Sequence, residues 1–183
     1  MPQTQTSCPR CRQPVVAQVE QLFDLNVDPK AKQRLLGGGV NVVHCQACGY
    51  EGMLSTPIVY HDPDKELLLT FFPPEMGMRV NEQERIMGPM LTQVMNKLPA
   101  EKRKAYLLRP QTMLIMQGLI EKILEGEGIT KEMIQAQQKR LSLLQRLLTA
   151  STDDIRTQLL EQEKELVDES FFAIINRMAE AAQ

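Results

Sequence analysis

Cys8-Pro9-Arg10-Cys11 and Cys45-Gln46-Ala47-Cys48-Gly49 contain all four cysteines of the 183-residue chain. The two pairs share one C-x-x-C spacing. Thiolates two residues apart can bind the same ion, because the tight turn between them aims both sulfurs inward and its N–H groups spread their charge. Gly49 suits such a turn because glycine tolerates positive φ; Arg12 holds the matching place after the first pair. Cys8, Cys11, Cys45 and Cys48 therefore read as a four-thiolate Zn²⁺ site. Its local charge of about −2 could be offset in part by Arg10 and Arg12. Such a site is closed to substrate, so it is structural. The alternatives are reduced thiols, two disulfides, or a thiol redox switch. A thioredoxin-like motif would need a βαβ setting that is missing here.

Between Cys11 and Cys45 lie 33 residues, more than the roughly 15–20 typical of ribbon sites. The gap must hold further structure. Val15 to Leu25 reads as a strand, with Val15, Ala17, Val19, Phe23 and Leu25 inward and Gln18, Glu20 and Asp24 outward. Asp28-Pro29 opens a short helix that runs through Leu35-Leu36 and stops at Gly37-Gly38-Gly39. Those glycines follow a helix instead of opening one, and no Gly-Lys-Ser/Thr follows, so they read as a cap and not a phosphate loop. Val40 to His44 returns as a strand and Glu51 to Ser55 continues past the second pair. Ile58-Val59-Tyr60 and Leu67 to Phe72 form a hairpin around Asp62-Pro63-Asp64-Lys65, and Pro73-Pro74 closes the unit.

This segment resembles the CpXC-domain family of bacterial proteins over about residues 8–73. The resemblance is carried by C-P-R-C, by D-P-x-x-K-x-x-L-L-G from Asp28 to Gly37, by V-N-x-x-x-C-x-x-C-G ending at Gly49, and by P-I-V-Y-H-D from Pro57 to Asp62. It implies a zinc-ribbon-like domain with four cysteine ligands and no established activity. Arg12 departs from the glycine usual at its position.

His44 precedes Cys45 on a strand and should face away from the thiols. His61 stands between Tyr60 and Asp62; histidine as a residue type suits acid–base chemistry, but no nucleophile accompanies this one. A turn or packing role is expected for it, with Asp62 opening the turn before Pro63.

From Val80 the apolar period becomes helical. Asn81 and Glu84 suggest a capping box. The first helix carries Ile86, Met87, Met90, Leu91, Val94, Met95 and Leu98, with a kink or a broken first turn expected at Gly88-Pro89. A short helix follows Pro99. A third begins at Arg109-Pro110 with Leu114, Ile115, Leu119, Ile120, Ile123 and Leu124 on its core face. Thr130 to Leu148 is next, with Ile134, Leu141, Leu144, Leu147 and Leu148 apolar. Ser151-Thr152-Asp153-Asp154 starts a helix with Ile155, Leu159, Leu160, Leu166 and Val167. The last holds Phe171, Phe172, Ile174, Ile175 and Met178 and frays through Ala181-Ala182. The expected architecture is α+β: a small β-rich zinc-ribbon-like domain with one inserted helix over 1–75, then an all-α helical bundle over 76–183.

Apolar content of 43% and charged content of 24% suit a soluble globular chain. The polar Met1 to Ser7 gives no signal peptide, and no apolar run reaches the ~20 residues of a membrane span. Together with four cysteines in metal-ligand spacing, this places the chain in a reducing cytoplasm. Residues 1–75 carry a net charge of −2 and residues 76–183 carry 0. That balance argues against nucleic-acid binding, which needs a basic footprint, although Arg10, Arg12 and Lys102-Arg103-Lys104 keep a ribbon-type nucleic-acid-binding or regulatory role as the alternative. The expected function is non-enzymatic: a zinc-stapled module that binds a protein partner or a second copy through its helices, with no membrane association.

Overall fold

The computed structural model describes residues 3–181, with side chains over 5–180. Met1 and Pro2, in the polar leader read above, and Ala182, at the frayed end of the last helix, lie outside the described residues. The chain divides into two compact units, Met1–Gly126 and Glu127–Gln183.

The first unit opens with two small antiparallel hairpins. Strand β1 (Gln3–Ser7) pairs with β2 (Pro14–Gln18), setting Thr6 opposite Val15. Strand β4 (Val42–His44) pairs with β5 (Glu51–Met53). Alternation works in β2, where Val15 and Ala17 are buried and Val16 is exposed. The strand expected to run unbroken from Val15 to Leu25 instead divides. Its second part, β3 (Leu22–Asp24), joins a different sheet.

That sheet has four strands in the order β3, β6 (Ile58–Asp62), β7 (Leu67–Phe71) and β8 (Gln111–Met113). The β6–β7 hairpin is antiparallel, as expected, and both outer strands pair parallel to their neighbours. All five residues of β6 and of β7 are buried, as happens when both faces of a sheet are covered. On one face Phe23, Ile58, Tyr60, Leu67, Leu69 and Phe71 pack against Ala31 and Leu35 of α1 (Ala31–Leu36) and Leu119 and Ile123 of α3 (Met116–Gly126). On the other, Val59 and Leu68 pack against Met87 and Val94 of α2 (Val80–Lys97), with Leu98 and Leu107. At the end of α3, a Cβ added to Gly126 would lie 3.0 Å from Leu67 Cδ1.

The expected boundary at residue 75 therefore falls inside the first unit. Helices α2 and α3, assigned from the sequence to a separate bundle, help to cover β6 and β7, α2 on one face and α3 together with α1 on the other. The helix expected from Arg109-Pro110 becomes β8 followed by α3 from Met116. Leu114 and Ile115, expected in its core, are 78% and 60% exposed. Proline disfavours helical geometry in the residue before it, and β7 supplies the ladder that the segment after Pro110 then joins. In α2 the helix runs on through Pro89, so its first turn is not broken there. Its N-terminal cap lies two residues earlier than read, with Glu82 accepting the Arg79 N–H at 2.8 Å.

Helix α1 starts at Ala31 with Lys30 flanking it, two residues later than expected from Asp28-Pro29, which form the turn that leads into it. Asp28 Oδ1 accepts the Lys30 N–H at 3.0 Å and the Asp28 carbonyl accepts that of Ala31 at 3.0 Å. It ends at the glycines, where Gly38 adopts φ +68°.

The second unit is all helical among its described residues: α4 (Lys131–Thr149), α5 (Asp153–Gln162) and α6 (Glu169–Ala181). Thr130 and Thr152 cap α4 and α5 by accepting the N–H groups of Met133 and Ile155. Leu143 and Leu144 pack against Phe171 and Ile174. Of the apolar residues read in α4, Leu141 and Leu148 are exposed. Arg140 makes a two-pronged contact with Asp168, which also accepts the Phe171 N–H.

Candidate metal centre

The two cysteine pairs sit on matching backbone turns. In the first, Cys8 N–H donates to the Gln13 carbonyl at 2.8 Å and the Cys8 carbonyl accepts the Arg12 N–H at 2.9 Å. In the second, Cys45 N–H donates to Tyr50 at 2.8 Å and the Cys45 carbonyl accepts the Gly49 N–H at 2.8 Å. The fifth residue of each turn has positive φ: +60° at Arg12 and +68° at Gly49. Arg12 thus adopts the conformation that glycine holds in its counterpart, at a cost of about 1–2 kcal/mol for a residue with a Cβ. Each turn is flanked by its own hairpin, and Val15, Ala17 and Val43 pack around the buried Cys8 and Cys45.

All four sulfurs lie within 4.8 Å of one another. Cys8 Sγ is 3.7 Å from Cys48 Sγ, and Cys11 Sγ is 3.6 Å from Cys45 Sγ. None is in a disulfide. A tetrahedral ion with Zn–S bonds of about 2.3 Å separates its sulfurs by about 3.8 Å, so the cluster fits a four-thiolate ion and could hold a metal. The Arg10 N–H points at Cys8 Sγ from 3.4 Å.

The thiols differ in acidity. Burial pushes Cys8 up, but the N–H groups of Cys11 and Arg10 and the neighbouring Cys11 and Cys45 sulfurs outweigh it, leaving Cys8 at about 6. At Cys48 the Tyr50 N–H favours the thiolate, yet burial and the other three sulfurs prevail and raise it to about 12. The first thiolate forms readily and the last resists, because like charges accumulate in one small volume. A cation at the centre reverses that penalty.

His44 is no part of the cluster, as expected. Its side chain is exposed and 3.8 Å from Glu51. His61 is fully buried. Its Nδ1 lies 2.7 Å from Asp24 Oδ1 and its Nε2 lies 2.9 Å from the Tyr106 hydroxyl. With Nδ1–H donating to Asp24, the neutral ring accepts from Tyr106. Burial, and then the nearby Glu66, Asp24, Asp62 and Asp64, push the Tyr106 hydroxyl up to about 12. Asp24, read as a solvent-facing residue, is 5% exposed, because helix α2 and the 105–108 segment cover that face. Asp24 and His61 are register partners across the parallel β3–β6 pair. Tyr106 comes from the turn of 3₁₀ helix at Ala105–Leu108. Sequence spacing gives no hint of this chain; the one available signal is that the apolar runs Ile58-Val59-Tyr60 and Leu67-Leu68-Leu69 must be covered on both faces. Asp62 keeps its expected turn role, accepting the N–H groups of Asp64 and Lys65, and also pairs with Lys32 at 3.2 Å.

Among the described residues no helix is long and apolar enough to cross a membrane. A family model described as CpXC protein matches residues 6–138. No curated protein and no solved structure matches the chain. The match extends well past the 8–73 of the recognised motifs, through α2, β8 and α3 and into α4. It covers both cysteine turns and the strands and helices of the first unit, so the chain belongs to the CpXC family.

Proposed function

We propose that Cys8, Cys11, Cys45 and Cys48 hold one zinc ion as a structural staple in a zinc-ribbon-like arrangement of the two hairpins, and that the chain is a non-enzymatic, cytoplasmic interaction module. The observation that carries this is the convergence of four sulfurs within 4.8 Å on two turns with the same hydrogen bonds. All-sulfur donors select zinc among common divalent ions, and a four-coordinate site leaves no open position. The hairpins have little core of their own, with Val15, Ala17 and Val43 as the buried aliphatic residues around the thiols. Structural zinc contributes about 10–16 kcal/mol of apparent binding energy in small domains. His61, the remaining candidate for acid–base chemistry, is fully buried with both ring nitrogens engaged, which favours a structural role.

Partner binding is assigned to the helical unit, where Met133, Leu141, Leu148, Phe172 and Met178 are exposed. A protein partner or a second copy would cover such side chains. Light scattering on the wild type and on Phe172→Asp, with capture from native lysate, tests this assignment. A monomer that captures nothing would defeat it.

The staple is tested by mass spectrometry and hydrogen exchange. One zinc per chain is expected. Chelation should expose four thiols and accelerate amide exchange over 5–18 and 42–53, while 58–71 stay protected by the separate sheet core. A metal-free protein with four free thiols, or exchange unchanged by chelation, would overturn the reading.

A further inference from the structure

The sulfurs that face each other run between the two turns. Cys8 meets Cys48 at 3.7 Å and Cys11 meets Cys45 at 3.6 Å. Each contact joins one buried sulfur to one that solvent reaches: Cys8 and Cys45 are each 1% exposed, whereas Cys11 and Cys48 are half-buried. We infer that the cluster is an oxidation site whose disulfides form crosswise, Cys8 to Cys48 and Cys11 to Cys45, so that a hydroperoxide replaces the metal staple with a covalent one. The inference rests on the proposed zinc site and concerns what its ligands do when the metal leaves.

The chemistry balances with hydrogen peroxide as oxidant. The more exposed sulfur of a pair, Cys48 or Cys11, attacks one peroxide oxygen as the thiolate that metal ligation leaves. The S–O bond forms, the O–O bond breaks, and the departing hydroxide takes a proton to become water. The facing thiolate of Cys8 or Cys45 then attacks the sulfenic sulfur. The S–S bond forms, the S–O bond breaks, and a second hydroxide leaves as water. Each disulfide gives up two electrons and each peroxide accepts two. Two peroxides and four protons thus convert four thiolates and their zinc into two disulfides, free Zn²⁺ and four waters.

Crosswise pairing has a consequence that pairing within each C-x-x-C lacks. It joins the β1–β2 hairpin to the β4–β5 hairpin, which otherwise meet through apolar side chains around the thiols and, just beyond the strands, through the two hydrogen bonds between Glu20 and Asn41. Closure from 3.6–3.7 Å to the roughly 2.05 Å of a disulfide is a side-chain movement within one cluster. Within the first turn, the Cys8 sulfur is held by the Arg10 N–H and faces Cys48.

Tryptic mapping separates the outcomes, because Arg10 and Arg12 cut between and after the first pair while the second pair stays on one peptide, 35–65. The full chain is first assayed for zinc, then treated with hydrogen peroxide, alkylated and digested without reduction. Crosswise closure releases peptides 1–10, 11–12 and 35–65 as one linked species, and fragmentation between Gln46 and Ala47 places peptide 1–10 on Cys48 and peptide 11–12 on Cys45. The oxidised protein should also keep the 5–18 and 42–53 amides protected in excess chelator. Zinc present at the start, followed by peptide 1–10 linked only to 11–12, or by sulfinic and sulfonic acids without disulfides, overturns the inference and leaves the zinc reading intact. Protein isolated without zinc overturns the zinc reading itself.

Discussion

Leu114 and Leu119 test the division of the chain most directly. Their spacing suggests one apolar helix face, yet the structure separates them. Leu119 is fully buried between α3 and the sheet, whereas Leu114 is 78% exposed between β8 and α3. Truncating a fully buried leucine to alanine costs the lost transfer energy and leaves a cavity, in total about 3 kcal/mol. Truncating an exposed one away from such features costs about 0.5 kcal/mol or less. With a urea slope of about 2 kcal/mol per molar, Leu119→Ala should lower the unfolding midpoint by about 1.5 M and Leu114→Ala by less than about 0.3 M. Tyrosine fluorescence reads the right unit, because the chain has no Trp and its three tyrosines, Tyr50, Tyr60 and Tyr106, all precede residue 127. A Leu114→Ala midpoint shift as large as that of Leu119→Ala would refute the packing of α3 on the sheet. A Leu119→Ala loss seen only in helical CD, with the tyrosine transition unmoved, would refute it too.

Other expectations address single interactions. Arg12→Gly removes left-handed strain at the first cysteine turn and should leave stability unchanged or slightly higher, while Gly49→Ala, whose added Cβ meets nothing within 4 Å, should weaken the module by about 1–2 kcal/mol through φ alone; competitive chelator titration compares the two. Tyr106→Phe leaves the buried His61 Nε2 without its partner and should cost about 1–3 kcal/mol, with faster amide exchange confined at first to 105–108. In the helical unit, Arg140 and then the Phe171 N–H hold the Asp168 carboxyl below the ordinary carboxylate range. A carboxyl lowered in the folded state contributes stability above its unfolded value near 4 and loses it as pH falls through the folded value. Helix content of this unit should therefore drop on acidification below about pH 4, and Asp168→Asn should remove much of that dependence; an identical acid transition in the variant would count against the pairing.

Much of the first 75 residues was legible because its signals are local. Pro and Gly positions mark the α1 boundaries, Asp62-Pro63 marks the β6–β7 turn, and period-two alternation marks β2. The cysteine spacing likewise foretold the cluster, since a C-x-x-C turn aims its own sulfurs. Reading failed where the answer depended on distant chain. Asp24 looks like an outward residue until helix α2 and Tyr106 cover its face. Gln111 to Met113 has no strand signal of its own and becomes β8 because β7 offers an open edge. The continuous apolar runs in β6 and β7 were evidence that helices must cover both faces, and only α1 lies within residues 1–75.

By itself, then, the sequence determined the two C-x-x-C turns, the four thiols they carry and several of the places where elements begin and end, because each is set by the backbone preferences of a few adjacent residues. Tertiary structure alone decided that α2, β8 and α3 belong with the sheet, that the division falls after Gly126, that Asp24, His61 and Tyr106 form one hydrogen-bonded chain, and that the four sulfurs of the two turns converge. These depend on which surfaces meet in space. Burial of apolar area is not directional, so an apolar stripe shows that a surface must be covered and leaves open what covers it.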